Sequence, residues 1–224
     1  MRAIVFDFDG VLVDSEPMHE RALVDAFTAL DLPARWTDWT RYIGHGDNEA
    51  IRRMLDDQGL RTDPDTIRRL REAKLVAMGA AIERAEAAAY PCAVALVRAA
   101  LERGPTGVCS GSRAAEVRPI LEQLGLLDDL GAVVTADDVV HTKPDPSPYL
   151  LAAERLGEAP ADCLAIEDTP VGAAAAIGAG YVVVGVAHTM TPDALRAAGV
   201  HEVVPTICNL TIDGLERVWR AARV

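Results

Sequence analysis

Lysine is almost missing from this sequence: among 22 basic side chains only Lys74 and Lys143 are lysines, and the rest are arginine. The 34 acidic side chains outnumber the basic ones, and the formal net charge is -12. Such a chain lacks the positive field that holds nucleic acid or an anionic membrane surface, so neither is an expected partner. A small anionic substrate is not barred, because one local lysine and a bound cation reverse the field where it matters. Aromatic residues are also scarce, at 4%, while half of the residues are hydrophobic. Ala, Val and Leu must therefore fill the core. The four cysteines, Cys92, Cys109, Cys163 and Cys208, form no CxxC pair and no zinc-like cluster. Three stand in or beside apolar segments, which predicts reduced core thiols. No uncharged apolar run is long enough for a bilayer, and Asp7 and Asp9 break the N-terminal run early. The expectation is a chain without signal peptide or membrane span, cytoplasmic by default.

What is present is concentrated in Ile4–Glu16, IVFDFDGVLVDSE. Ala3–Phe8 reads as a buried strand that ends in two carboxylates, and ligands bind at the C-terminal ends of strands in an open parallel sheet. From Pro17 to Ala89 the composition turns helical, with helices expected at Met18–Leu30, Asn48–Gln58 and Asp65–Met78 and no strand signal. Pro64 separates the last two, and Asp63 or Asp65 can cap the third helix. After Tyr90 strands and helices alternate. Strands are expected at Thr106–Cys109, Ala132–Thr135, Cys163–Ile166 and Tyr181–Val186, with an edge strand at Glu202–Val204. Helices lie between them, the last at Ile212–Ala222. Such alternation predicts an α/β fold with a parallel sheet. The expected division is a Rossmann-like three-layer core of residues 1–15 and 90–224, with an inserted α-helical cap of residues 16–89.

Four loops can converge on one site. In Asp7-Phe8-Asp9 the two side chains share no face of an extended strand, so the chain must bend, and Gly10 permits that. Asp7 then suits coordination of a hard cation and attack on phosphorus, and Asp9 suits proton transfer to the leaving oxygen, which requires it to be neutral at that step. Ser110-Gly111-Ser112 offers a hydroxyl and backbone N–H groups for phosphate oxygens, although Ser112 can equally be a helix cap. Lys143 is a compact charge that fits between Asp7 and a phosphoryl oxygen. Glu167 and Asp168 add carboxylates after another apolar strand, while Thr169 and Pro170 suit a helix start. The donors are oxygens, so Mg²⁺ is the expected cofactor: Asp7, Asp168 and the Asp9 backbone carbonyl as ligands, Glu167 in or beside the shell.

This order of motifs resembles the haloacid dehalogenase-like hydrolase superfamily, in its branch of small phosphatases and β-phosphoglucomutase. DFDGVLVDSE is similar to the first family motif, Ser110-Gly111-Ser112 to the second, Lys143 to the third and Glu167-Asp168 to the fourth. The resemblance spans almost the whole chain. It implies Asp7 as nucleophile, Asp9 as acid and base, Ser110 as phosphate ligand, Lys143 as the orienting charge and Asp168 as metal ligand. The backbones of Phe8 and Gly111 are expected to donate to phosphoryl oxygens. Dehalogenase members lack the second aspartate of the first motif, so Asp9 points to phosphate chemistry. His19 matches a position that helps the acid/base group, and Gly44, His45, Lys74 and Arg113 are candidate contacts to the rest of the substrate. The loop Gly44–Asn48 lacks the arginine expected of the mutase.

The expected activity is Mg²⁺-dependent hydrolysis of a small phosphorylated metabolite, with a sugar phosphate as one option, through an aspartyl phosphate. A β-phosphoglucomutase-like phosphosugar mutase is the alternative. The expected assembly is a monomer or weak homodimer. For His188, after the strand YVVVGV, a structural or surface role is favoured over one at the site.

Overall fold

A computed structural model describes residues 1–223; Val224, the last residue of the expected core segment, lies outside the described residues. Six strands form one parallel sheet: β1 (Ala3–Phe6), β4 (Thr106–Cys109), β5 (Ala132–Val134), β6 (Cys163–Glu167), β7 (Val182–Val186) and β8 (Glu202–Val204), in the order β5-β4-β1-β6-β7-β8. Side chains alternate across the sheet, as the two-residue strand period requires. Ile4, Phe6, Leu164, Ile166 and Val184 enter one apolar cluster, and Ala3, Val5, Ala165 and Val183 the other. Helices α4 (Ala93–Arg103), α5 (Ala114–Gln123) and α9 (Ile212–Ala221) cover the first face. Helices α6 (Ser147–Leu156) and α7 (Pro170–Ala179) cover the second, and α8 (Pro192–Ala197) leads into β8. The fold is thus the three-layer α/β arrangement with a parallel sheet that the alternation predicts. Scarcity of aromatics is met by close approach: Ala173, Ala175 and Ala176 of α7 are fully buried against the sheet.

Between β1 and α4 the chain makes three helices, α1 (Glu16–Ala29), α2 (Asp47–Asp57) and α3 (Pro64–Glu83). They enclose a cluster of their own, with Phe27, Tyr42, Ile51, Met54 and Leu70, and Trp36 and Trp39 packed on it. Met18 and Ala22 of α1 and Met78 and Ile82 of α3 join the sheet cluster instead, which ties this layer to the core. Asp63 caps α3, accepting from the backbone N–H groups of Asp65 and Thr66. Pro64 does not break the helix but begins it, where its missing N–H costs nothing. The helix runs past Met78 to Glu83 because Ala80 and Ala81 favour it and Gly79 disturbs nothing around it.

Two expectations need correction. A strand is present where none was expected: β3 (Ala88–Ala89) pairs antiparallel with β2 (Val13–Asp14), joining the outgoing and returning linkers. Two alanines carry no strand signal, and only the partner segment makes them one. The cysteines also divide. Cys109 and Cys163 are buried free thiols, but Cys92 and Cys208 form a disulfide across 116 residues, with Cα atoms 5.3 Å apart. Cys92 stands where the return linker enters α4, and Cys208 in the turn after β8. Nothing in their spacing along the chain announces that the fold brings them together. Among the described residues no helix is long and apolar enough to cross a membrane.

Under denaturing, non-reducing conditions the air-oxidised chain should titrate two thiols, rising to four after reduction. Four thiols before reduction would contradict the bond. Burial pushes the Cys109 thiol up to about 12 and Cys163 to about 11, so neither should react with a thiol reagent in the native chain at pH 8.

Candidate active site

Strand order assembles the site. β1 lies between β4 and β6, so the loops that leave these three strands meet at their C-terminal ends. The loop after β1 stays tied to the sheet by the Asp7 N–H, which donates to Ile166 O at 2.9 Å. It then bends: Gly10 takes φ +75°, and Phe8 O accepts from the N–H groups of Leu12 and Val13. The strand therefore ends at Phe6 rather than Phe8, and the bend separates the directions of Asp7 and Asp9.

Lys143 arrives from the loop after β5, 5% exposed. Its Nζ donates to Asp7 Oδ1 at 2.7 Å, Glu167 Oε1 at 2.6 Å and Cys109 O at 3.0 Å. Three donors thus meet three acceptors. Burial opposes its charge, but Asp7 and Glu167 outweigh burial and hold its pKa well above the ordinary lysine value. Glu167 is completely buried, and its Oε1 also accepts from Tyr149 OH at 2.6 Å. Behind it lies Gly172 of α7, where any Cβ would collide with the Glu167 carboxylate.

Asp7, Glu167 and Asp168 bring one carboxylate oxygen each within 4.8 Å of one another. Burial, and then the neighbouring carboxylates, push the pKa values of Asp7 and Asp168 well above the ordinary range, with Lys143 partly offsetting this at Asp7. Both oxygens of Asp168 are buried without a hydrogen-bond partner. Orphaned buried carboxylate oxygens are costly, and a hard divalent cation with oxygen ligands relieves them. The donor set fits such a cation: Asp7 and Asp168 can ligate, while Glu167 spends one oxygen on Lys143 and Tyr149.

Asp9 turns its side chain away from that cluster. Oδ1 accepts from Ser15 Oγ at 2.6 Å and lies 3.1 Å from His19 Nε2; Oδ2 accepts from Ser110 Oγ at 3.0 Å and Ser112 Oγ at 2.7 Å. Burial acts against its ionisation, but the His19 charge and the hydrogen bonds from His19, Ser15 and Ser112 prevail, holding its pKa well below the usual range. Burial and Lys74 push His19 down, yet Asp9 and Glu116 leave its pKa raised. The two shifts favour an ionised Asp9 and a protonated His19, whereas the role division expected of Asp9 requires it to be neutral.

The remaining candidates divide. Phe8 is buried, and Gly111, Gly44 and His45 line the cavity above Asp7. Gly44, at φ +80°, lies against Thr169, where a Cβ would come within 3.0 Å of the hydroxyl. Arg113 points elsewhere: its Nε donates to Asp137 at 2.9 Å, and it lines an adjoining crevice. Lys74 is 1% exposed and ion-paired with Asp47 at 2.6 Å and Glu116 at 3.1 Å. His188 is structural in its contacts. Its Nε2 accepts from the Ile207 N–H at 3.1 Å, so Nδ1 carries the hydrogen and donates to Gly10 O at 2.8 Å, and Tyr90 stacks on the ring. Sequence reasoning missed Tyr149, Glu116 and the contact of Ser112 with Asp9. Only Ser112 had a signal, as the second hydroxyl of Ser-Gly-Ser.

Substituting Gly172→Ala should destabilise the chain by about 1–3 kcal/mol, against the gain of up to ~1 kcal/mol that alanine normally brings inside a helix. Gly111→Ala, whose Cβ meets nothing, should stay within about 0.5 kcal/mol. Urea denaturation of both variants checks this, and an unchanged midpoint for Gly172→Ala would remove the packing argument.

The haloacid dehalogenase-like hydrolase family model matches residues 1–180. Phosphoglycolate phosphatase of Rhodospirillum rubrum is 33% identical over 214 residues, covering 93% of this chain and 89% of the relative. Fructose-1-phosphate phosphatase YqaB of Escherichia coli is 33% identical over 194 residues, covering 82% and 95%. The crystal structure of CbbY from Rhodobacter sphaeroides in complex with phosphate superposes with a TM-score of 0.86 at 26% identity, covering 96% of this chain and 99% of that one. By fold, by motif order and by these relatives, the chain belongs to the haloacid dehalogenase-like hydrolases.

Proposed function

We propose that the chain is a Mg²⁺-dependent phosphatase that hydrolyses a small phosphorylated metabolite through an aspartyl phosphate on Asp7. Its family and its relatives already support a phosphatase or phosphotransferase. The observation that carries the finer reading is the Lys143 ammonium, shared by Asp7 and Glu167, beside the unpartnered oxygens of Asp168.

In the first step an Asp7 oxygen bonds to phosphorus while the bond to the leaving oxygen breaks. Lys143 holds Asp7 Oδ1, so the other oxygen is the one free to attack. The Asp9–His19 pair supplies the proton to the departing alkoxide, Asp9 as the group facing the reaction and His19 as the holder of the proton. In the second step water attacks phosphorus, its proton returns to the pair, phosphate leaves and the Asp7 carboxylate is restored. Ser110 and the backbone around Gly111 orient phosphoryl oxygens. Mg²⁺, held by Asp7, Asp168 and the Asp9 carbonyl, would supply positive charge to the phosphoryl group. Unaided phosphate monoesters hydrolyse so slowly that positioning and electrostatics must supply about 20 kcal/mol.

Residues 16–89 act in this reading as the cap that selects the leaving group. His19 reaches Asp9 from that side, next to Ser15 at the boundary, so the acid/base pair is complete only with the cap in place. Hydrolysis is favoured over mutase chemistry because Lys74, the cap's one lysine, is occupied by Asp47 and Glu116.

Phosphate release should vanish on chelation and return with Mg²⁺; metal-independent turnover would refute the cation's role. At a Mg²⁺ concentration of 100 Kd the native state should gain about 2.7 kcal/mol, read as a rise in Tm, and Asp168→Asn should lose that rise. Asp7→Asn should abolish release, and Asp9→Asn should lower kcat by about 10²–10⁴-fold. Retained turnover in Asp7→Asn would exclude it as nucleophile.

A further inference from the structure

We propose that the leaving group this site takes is an uncharged, hydroxyl-rich alcohol, and that monoesters carrying a second phosphate or a carboxylate are rejected. The inference rests on the phosphatase reading above and concerns the half of the cavity that faces away from the phosphoryl group.

That half has two chemical parts. Leu23, Trp39, Tyr42 and Ile43 make an apolar wall. Tyr42 turns its hydroxyl away to Asp57, leaving the ring to the cluster. Beside the wall stand Glu16 and Asp47. Glu16 accepts from Trp39 Nε1 at 2.9 Å through Oε2, which leaves Oε1 as an acceptor. Asp47 gives Oδ1 to Lys74 and keeps Oδ2, with the side chain 20% exposed.

The cations that line this cavity are spent; Arg71, which donates to Asn48 and has no carboxylate partner among the described residues, lines the adjoining crevice instead. Lys143 is the one lysine lining the cavity, and Asp7 and Glu167 hold it. His19 is bound to Asp9. His45 is kept below its ordinary pKa by burial and by Arg53, which favours the neutral ring. Arg113 faces Asp137. Lys74 does not line the cavity; it lies behind Asp47, between that carboxylate and Glu116.

A second anion on the leaving group would therefore meet the Glu16 carboxylate and Asp47, whose charge Lys74 partly offsets from behind, with no free cation among the described residues that line this cavity. An alcohol with several hydroxyls donates to those same acceptors and lays its C–H face on the apolar wall, as a sugar or polyol does. An ammonium group is less well served, because Lys74 cancels much of the Asp47 charge from behind.

The test is phosphate release with Mg²⁺ from p-nitrophenyl phosphate, β-glucose 1-phosphate, fructose 1-phosphate, phosphoglycolate, fructose 1,6-bisphosphate and phosphoethanolamine. At least one of the two sugar monophosphates should exceed phosphoglycolate, the bisphosphate and phosphoethanolamine in kcat/KM by on the order of 100-fold, since an anion set against Glu16 and Asp47 with no free cation beside it is disfavoured. Asp47→Asn, which keeps an oxygen for Lys74 but removes the charge, should narrow the gap to phosphoglycolate by about tenfold, mostly through KM, as expected for lost binding discrimination. A preference for phosphoglycolate, the bisphosphate or phosphoethanolamine would overturn the inference and leave the phosphatase reading standing. Release from none of the six, p-nitrophenyl phosphate included, would sink the phosphatase reading and this inference with it.

Discussion

One buried ammonium sets the order of this site. Lys143 has three hydrogens and three acceptors, and the acceptors come from three neighbouring strands: Asp7 after β1, the carbonyl of Cys109 at the end of β4, and Glu167 at the end of β6. Without that charge the buried carboxylates of Asp7 and Glu167 would face each other unpaired. Breaking such a buried pair by removing one partner typically costs about 3–5 kcal/mol, because the group left behind stays unpaired. The lysine thus serves fold and chemistry together. It closes the three loops on one another and leaves Asp7 with one held oxygen and one free. Glu167, pinned by Lys143 and Tyr149, is the wall against which this is done, and Gly172 makes room for the wall.

The second lysine repeats the device at the other end of the cavity. Lys74 of α3 lies between Asp47 of α2 and Glu116 of α5, so a buried charge joins the helices over the site to the core beneath. Asp9 makes a second junction of the same kind. Two of its four contacts come from the start of α1, Ser15 and His19, and two from the loop after β4, Ser110 and Ser112. Displacing α1 would remove half of what holds Asp9 ionised. In the proposed reading, proton transfer and enclosure of the substrate are therefore coupled through α1.

Much of this was legible in the sequence, for identifiable reasons. β1, β4 and β6 are fully buried runs that end at carboxylates or Ser-Gly-Ser, and strands of a parallel sheet covered on both faces show such buried runs. Asp7, Glu167 and Asp168 stand out because charges placed at the ends of such strands need partners, and Lys143 because it is one of two lysines in the chain. What stayed hidden depends on contacts between distant segments. The Cys92–Cys208 bond spans 116 residues, the β2–β3 pair rests on two alanines, and Asp47 and Glu116 look like ordinary helix-surface acids until Lys74 is placed between them. The place of Asp9 at the site was legible but the donors around it were not. A carboxylate's charge is decided by the donors around it, and here they come from two segments far apart in the chain, Ser15 and His19 on one side, Ser110 and Ser112 on the other.

The central claim is that Asp7 bonds covalently to the phosphoryl group. Rapid mixing with a turned-over phosphate ester, an acid quench within the first turnover, and peptide mapping by mass spectrometry address it directly. The account predicts a phosphoryl adduct on the peptide holding Asp7, labile to hydroxylamine as an acyl phosphate is, and formed and lost at rates that match turnover. Turnover with no adduct on that peptide at any quench time, together with release of phosphate in which water has attacked the ester with inversion in a single displacement, would contradict it.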